Sequence, residues 1–423
     1  MAHYYIWTIG CQMNKADSER LGVLLERLGY QPSPSPHSAD LVVLNSCVVR
    51  ASAENRVRGQ LSSLKSLKRR KPGAIIALTG CMVDSDSAPL RAQFPHVDLF
   101  FKPQEFAELW RFLSGQAYPD PKTIVPQRPA ISAFVPIIQG CDNFCSYCIV
   151  PYRRGRERSR PPSEVVAEVE ALVGQGTKEV TLLGQNVDSY GHDLPGKPDL
   201  ADLLVELNRI PGLRRLRFLT SHPKDMKGKL IDTIARLDKV CEHISLPMQS
   251  GDNHILRAMR RGYTVESYRQ LVARIREAIP GVALSTDIIV GFPGESQAQF
   301  QNTYSLLEEL RFDTVHGAMY SPRPGTLAAR AMEDSVPAEE KRRRLDMVEA
   351  LQQAIATEIN SRLLGKVVEV LVEGQVKGKW QGRTRTNKPV FFAHNGDWRG
   401  QLVQVKVEKT SPWSLQGRLA EGA

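Results

Sequence analysis

Cys141-Asp142-Asn143-Phe144-Cys145-Ser146-Tyr147-Cys148 directly follows an apolar stretch, Phe134 to Ile138, that reads as a strand. Three cysteines spaced C-x3-C-x2-C on one loop can ligate three irons of a 4Fe–4S cluster. The fourth iron is then open to a small chelator. Zinc competes for such a loop, but structural zinc takes four closed ligands, and no fourth Cys or His is nearby in sequence. The strand before the loop opens a series. Glu179 to Leu183, Leu213 to Leu219, His243 to Leu246, Ala283 to Val290 and Thr314 to Tyr320 follow it. Helical patterns separate them: Ser163 to Gly174, Ala201 to Arg209, Val265 to Ala278 and Gln297 to Leu310. Six strand–helix units predict a partial, TIM-like (βα)6 barrel. The cysteine loop lies at the C-terminal end of its first strand, where barrels place their chemistry.

The flanks differ from this centre. Residues 1–116 alternate apolar runs (Tyr4 to Ile9, Leu41 to Leu44, Ala74 to Leu78) with helical stretches (Ala16 to Leu28, Ser52 to Leu67). That pattern predicts a parallel α/β domain. Residues 117–130 are Pro-rich and read as a linker. The central domain spans 131–357, ending in a charged helix that begins near Ala338 and runs toward Leu364. Residues 358–423 hold Val367 to Val372, Val390 to Phe392 and Leu402 to Val407 between glycines, which predicts a small all-β barrel. The overall class is α/β.

Composition bounds the function. Of 423 residues, 42% are hydrophobic and 24% charged, which excludes chain-wide disorder. No apolar run reaches the roughly 18 residues of a membrane helix. Without a secretory pattern at Met1-Ala2-His3-Tyr4, a cytoplasmic location and no membrane partner are expected. The net charge of +10 favours a polyanionic partner. The excess is uneven: 16 basic and 11 acidic residues in 1–130, 29 of each in 131–357, and 11 against 6 in 358–423.

Seven cysteines, an odd number, argue against a disulfide framework. Cys11, Cys47 and Cys81 each follow one of the first three strands. In an open parallel sheet, such loops share one edge. Three thiolates could converge there and hold a second cluster. Taken singly, each would read as a buried apolar thiol. Cys241 stands apart and is expected to be buried and structural.

The C-x3-C-x2-C loop resembles the signature of the radical S-adenosylmethionine enzymes. The whole chain resembles the methylthiotransferases among them, which join a three-cysteine N-terminal domain, a radical barrel and a C-terminal TRAM domain. The details are similar to the branch acting on isopentenylated adenosine in tRNA. The residues that carry this are Gly10-Cys11-Gln12-Met13-Asn14, Val150 to Gly155 with Ser159-Arg160, Leu183-Gly184-Gln185-Asn186-Val187, Thr220-Ser221-His222-Pro223, Leu246 to Gly251, Asp287 to Glu295 and Ser321 to Thr326. Met248 and Ser46 stand where Val and Thr are usual, neither expected to touch a ligand.

The resemblance implies two 4Fe–4S clusters, S-adenosylmethionine and a 5′-deoxyadenosyl radical. One S-adenosylmethionine would methylate sulfur at the N-terminal cluster, and a second would yield the radical. The product would be methylthiolated at carbon 2 of N6-isopentenyladenosine beside the anticodon. Expected partners are the tRNA anticodon stem-loop and an electron-donor protein such as a flavodoxin or ferredoxin. Expected cluster ligands are Cys11, Cys47, Cys81, Cys141, Cys145 and Cys148; no other catalytic residue is assigned. Tyr147, Gln185, Gln249 and Asp287 are candidate S-adenosylmethionine contacts. The two cysteine faces should then share a cavity. Rival readings are methylthiolation of threonylcarbamoyladenosine or of a ribosomal protein, and a non-catalytic zinc RNA-binding protein.

Other basic residues bear on RNA contact. Arg153 to Arg160 holds five arginines, read either as a solvated loop paired to Glu157 or as an RNA or cofactor contact. Lys65, Lys68, Arg69, Arg70 and Lys71 suit a helix C-terminus. Arg342 to Arg344 read as surface. Lys377, Lys379, Trp380, Arg383, Arg385, Lys388, Phe391 and Phe392 interleave cations with aromatics, as single-strand-binding grooves do, with at least one Phe expected in the core. Gly291-Phe292-Pro293-Gly294-Glu295 has the wrong glycine spacing for a phosphate loop.

Overall fold

The computed structural model describes the chain apart from residues 49, 50, 85, 104, 120–124, 127, 128 and 421–423. Seven positions of the expected linker thus lie outside the described residues. The N-terminal sheet contains β1 (His3–Thr8), β2 (Gln31–Pro32), β3 (Leu41–Ser46), β4 (Ile75–Gly80) and β5 (Leu99–Phe100). Its order is β2-β1-β3-β4-β5, all parallel. Strand alternation divides the apolar residues between two faces. Val42, Leu44, Ile76 and Leu78 meet Val57 and Leu61 of helix Ala51–Ser63. Leu41, Val43 and Ala77 meet Leu21, Leu24 and Leu25 of helix Gln12–Arg27. β3 is buried at every position, which is why it reads as one apolar run.

The central domain contains β6 (Ser132–Pro136), a short antiparallel ribbon of β7 (Ile138–Gln139) and β8 (Arg158–Ser159), then β9 (Glu179–Leu183), β10 (Arg215–Leu219), β11 (His243–Ser245), β12 (Ala283–Val290) and β13 (Thr314–Met319). β6, β9 and β10 form one parallel sheet, and β11, β12 and β13 another. A parallel bridge from Leu216 to Val240 joins them into six strands of a partial barrel. Capping boxes start three of its helices, at Asp199, Thr264 and Ser296. Helix Ala338–Ser361 packs on β13 and runs past the boundary expected at 357.

Arg342 and Arg343 are exposed, but Arg344 is not a surface residue. It is buried and pairs with Glu295 at 2.7 Å and with Glu340 at 2.7 Å. Glu295 in turn accepts from the Gly291 amide at 2.6 Å. The turn Gly291 to Glu295 is therefore closed by its own carboxylate, which takes the place a phosphate would need.

The C-terminal domain is a closed barrel of β14 (Val367–Val376), β15 (Lys379–Arg383), β16 (Pro389–Phe392), β17 (Leu402–Thr410) and β18 (Leu415–Leu419), in the order β14-β15-β16-β18-β17. Trp380 and Phe392 are in its core, so neither is a stacking platform. Arg383, Arg385 and Lys388 do not form the expected RNA groove either. Arg383 binds Glu179 at 2.8 Å, Arg385 binds Glu242 at 2.7 Å and Lys388 binds Asp313 at 2.7 Å. All three acids lie at or just before the starts of central strands. Arg215 and Arg217 donate back to the carbonyls of Arg383, Thr384 and Arg385. The β15–β16 turn thus plugs the lower mouth of the central barrel, opposite the cysteine loop. Lys377, Lys379, Lys406 and Lys409 stay exposed, as does Trp413.

Candidate active site

Cys11, Cys47 and Cys81 lie just past β1, β3 and β4, three neighbouring strands. A polar network binds their loops together. Asn14 Nδ2 donates to Asn45 Oδ1 at 3.0 Å and to the Ser46 carbonyl at 2.8 Å. Its Oδ1 faces Cys11 Sγ at 3.4 Å. The Cys81 amide donates to the Ser46 carbonyl at 2.9 Å, so Ser46 does touch an expected ligand. Two glycines are required by crowding. At Gly10 (φ +136°) a Cβ would lie 2.8 Å from Cys47 Cβ. At Gly80 (φ +92°) it would collide with the Ser46 backbone.

The second trio is held as tightly. The β7–β8 ribbon closes the base of its loop, and the Cys141 amide donates to the Gly155 carbonyl at 3.2 Å. Ser146 bonds the carbonyls of Met259 and Ala258 at 3.0 and 2.8 Å. Arg261 Nη1 reaches Cys145 Sγ at 3.4 Å. Asp142 and Glu157 exchange bonds with each other's amides, so Glu157 does not pair with the arginine run. Burial pushes the Cys141 thiol up to about 11 and Cys148 up to about 12. Burial also raises Cys11. Thiols in such places ionise only against a strong local positive charge, which a bound metal would supply.

The spacing within each trio bears on the metal. Three thiolates on one tetrahedral zinc, with Zn–S near 2.3 Å, sit about 3.8 Å apart. Among the described residues, neither trio brings all its sulfurs within 4.8 Å of one another; only Asp142, Glu157 and His192 do so with their ligand atoms. Neither set is therefore as tight as three ligands of one zinc.

The trios belong to one region. Ile149, next to Cys148, packs in the N-terminal core with Cys81 and Met82. Met13 and Ala16 pack on Leu183 at the end of β9. Arg154 Nη2 donates to Asp17 at 3.0 Å and to Asn14 Oδ1 at 3.3 Å. Arg153 pairs with Asp84, and Arg323 with Glu54 at 3.3 Å. Arg160 binds Glu168 at 2.6 Å. Of the five arginines, only Arg156 and Arg158 are exposed.

Of the four cofactor candidates, Tyr147 lies within the barrel's cysteine loop and Gln185 bonds its base. Tyr147 packs against Ile255, Met259, Phe292 and Tyr320, with burial raising its hydroxyl's pKa. Gln185 Oε1 accepts from the Gly140 amide at 2.7 Å, so it holds the cysteine loop. The Gln249 amide donates to the Asp287 carbonyl at 2.8 Å, which joins those two positions. Gln249 (φ +70°) and Thr220 (φ +75°) both hold left-handed backbone, a strain typical of functional rims. Burial, then Arg261 and Lys224, lowers the His222 pKa to about 2, so its ring is neutral. Burial raises Asp188 to about 7. His222 Nε2 and Asn186 Oδ1 are buried at this rim without a hydrogen-bond partner among the described residues. Asp188, Arg261 and Tyr263 had no local sequence signal; His222 lay in the quoted Thr220 to Pro223 run. Cys241 is buried, as expected.

Three family models match in succession: "Uncharacterized protein family UPF0004" over residues 3–102, the radical SAM superfamily over 135–307 and the TRAM domain over 361–420. Full-length relatives are similar throughout. A protein of Dehalococcoides mccartyi (strain ATCC BAA-2266 / KCTC 15142 / 195) is 53% identical, over 100% of this chain and 99% of its own. One of Chloroflexus aurantiacus is 53% identical over 98% and 91%, and one of Dictyoglomus thermophilum 47% over 99% of each. All three are called tRNA-2-methylthio-N(6)-dimethylallyladenosine synthase. Among solved structures, a radical S-adenosylmethionine methyltransferase from Kitasatospora setae with cobalamin and a [4Fe-4S] cluster covers 90% of this chain and 81% of its own. Its TM-score is 0.59 at 14% identity, a likeness of fold alone.

Proposed function

The chain belongs to the tRNA-2-methylthio-N(6)-dimethylallyladenosine synthases, radical S-adenosylmethionine enzymes, and from that premise we propose how its residues divide the work. The enzyme methylthiolates carbon 2 of N6-isopentenyladenosine in tRNA. Six cysteines hold two 4Fe–4S clusters, Cys141, Cys145 and Cys148 one and Cys11, Cys47 and Cys81 the other. When bound, the barrel cluster and S-adenosylmethionine supply a 5′-deoxyadenosyl radical, needed because this carbon is neither acidic nor electrophilic. Two S-adenosylmethionine would be needed per product, one for the methyl group and one for the radical.

The observation that carries the two-cluster reading is the packing of both cysteine faces around Ile149, Arg154 and Asn14. It sets the N-terminal cysteine loops against the segment that follows the barrel's cysteine loop, which supports a shared reaction site. Gln185 orients the cysteine loop through Gly140. Tyr147, Gln249 and Asp287 line the cofactor side, and the unpaired His222 and Asn186 atoms offer one donor and one acceptor to a ligand. The partners are the tRNA anticodon stem-loop and an electron-donor protein of the flavodoxin or ferredoxin kind. Among the described residues no helix is long and apolar enough to cross a membrane, and we place the reaction in the cytoplasm. Anaerobic reconstitution tests this reading. About eight irons per chain, with cleavage of S-adenosylmethionine, are expected. About four irons would reject the second cluster, and zinc without cleavage would reject the enzyme.

A further inference from the structure

Two arginines of the central barrel face the cysteine trio of the N-terminal sheet. Arg154 is buried and lies close to Cys81 and Cys11, and Cys11 Sγ faces Asn14 Oδ1 at 3.4 Å. Its Nη2 is shared between Asp17 and Asn14, while its Nη1 is buried without a partner among the described residues. Arg323 comes from the loop after β13. It pairs with Glu54, lies close to Cys47 and leaves its Nε buried and without a partner among the described residues.

We propose that Arg154 and Arg323 are positioning residues that set the reduction potential of the N-terminal cluster, so that the barrel tunes a cofactor held by another domain. The inference rests on the two-cluster reading above. Cluster potentials follow local charge, hydrogen bonds to sulfur and solvent exposure. A buried guanidinium acts on the first two at once, and low surrounding dielectric strengthens its effect. Positive charge favours the reduced, more negative cluster and raises the potential. Asp17 is the counterweight. Its carboxylate offsets part of the Arg154 charge at 3.0 Å. The sequence hides this arrangement because Arg154 and Asp17 are 137 residues apart.

The test uses the full chain carrying Cys141→Ala, Cys145→Ala and Cys148→Ala, so that the N-terminal cluster is observed alone. Its midpoint potential is read by redox titration with electron paramagnetic resonance. Arg154→Met is expected to lower the potential, Arg154→Lys to lower it less, and Arg323→Met to lower it by a smaller amount. Asp17→Asn is expected to raise it. That variant keeps the side-chain shape, so it carries the test even where Arg154→Met fails to fold. Shifts of one sign in all variants, or no shift, would overturn the proposal while leaving the cluster in place. Absence of iron from the triple variant would overturn the two-cluster reading and this inference with it.

Discussion

Arg217 Nε donates to Glu179 Oε2 at 2.9 Å in the lower mouth of the central barrel, with both side chains no more than 2% exposed. The other Glu179 oxygen binds Arg383 of the C-terminal barrel at 2.8 Å. One buried carboxylate therefore holds arginines from two domains.

Glu179→Gln is expected to cost about 3–5 kcal/mol, the penalty for leaving buried charges unmatched. Thermal unfolding reads it, with hydrogen exchange rising first in β15. Burial alone would raise the Glu179 pKa, but Arg217 and Arg383 outweigh burial and lower it. A lowered folded pKa gives stability above the unfolded value, near 4.3, that is lost as pH falls through the folded value. The gap between wild type and Glu179→Gln should thus be full at pH 7 and shrink in acid. A gap independent of pH would reject this role.

The cations of the C-terminal domain should separate into two groups. Lys379→Ala, Lys406→Ala and Lys409→Ala together should weaken tRNA binding and flatten its salt dependence by roughly one phosphate contact each. Arg385→Ala and Lys388→Ala should lower the melting temperature and leave the salt slope alone. Filter binding across a salt series, beside thermal unfolding, distinguishes them. A reduced salt slope in Arg385→Ala would contradict the interdomain pairing.

Gly80→Ala should remove the N-terminal cluster while sparing the other. The added Cβ meets the Ser46 backbone that carries Cys81, and φ +92° disfavours alanine in any case. Iron should fall from about eight to about four per chain. Methylthiolation should cease while cleavage of S-adenosylmethionine to 5′-deoxyadenosine persists. Full iron in this variant would show that the Gly80 turn does not shape the site.

Gln185→Ala frees the Gly140 amide from its 2.7 Å bond. Because Gly140 precedes Cys141, slower loading and faster loss of the barrel cluster are expected, seen as decay of cluster absorbance under chelator. Gln185→Glu keeps the acceptor and should restore retention. Equal cluster lifetimes in all three forms would refute the orienting role.

Much of this was legible from local signals. Three cysteines within eight residues of one loop, and three more each one strand apart, need no tertiary information. The six barrel strands and helices such as Val265–Ala278 followed from periodicity. β2 and β5 were missed because two residues cannot show a period. The end of β15 and the turn after it were misread because Arg383, Arg385 and Lys388 mimic a nucleic-acid groove when their partners are unseen. Those partners, Glu179, Glu242 and Asp313, lie at least 75 residues away. Arg344 failed for the same reason. Its buried partner Glu295 is 49 residues upstream, beyond any helical spacing.

Nucleoside mass spectrometry of tRNA from a strain lacking this chain tests the assigned activity most directly. The expected result is loss of 2-methylthio-N6-dimethylallyladenosine with accumulation of N6-dimethylallyladenosine. Restoration should occur with the wild-type chain and fail with Cys81→Ala or Cys145→Ala. Persistence of the methylthiolated nucleoside in the deletion strain would contradict the assignment.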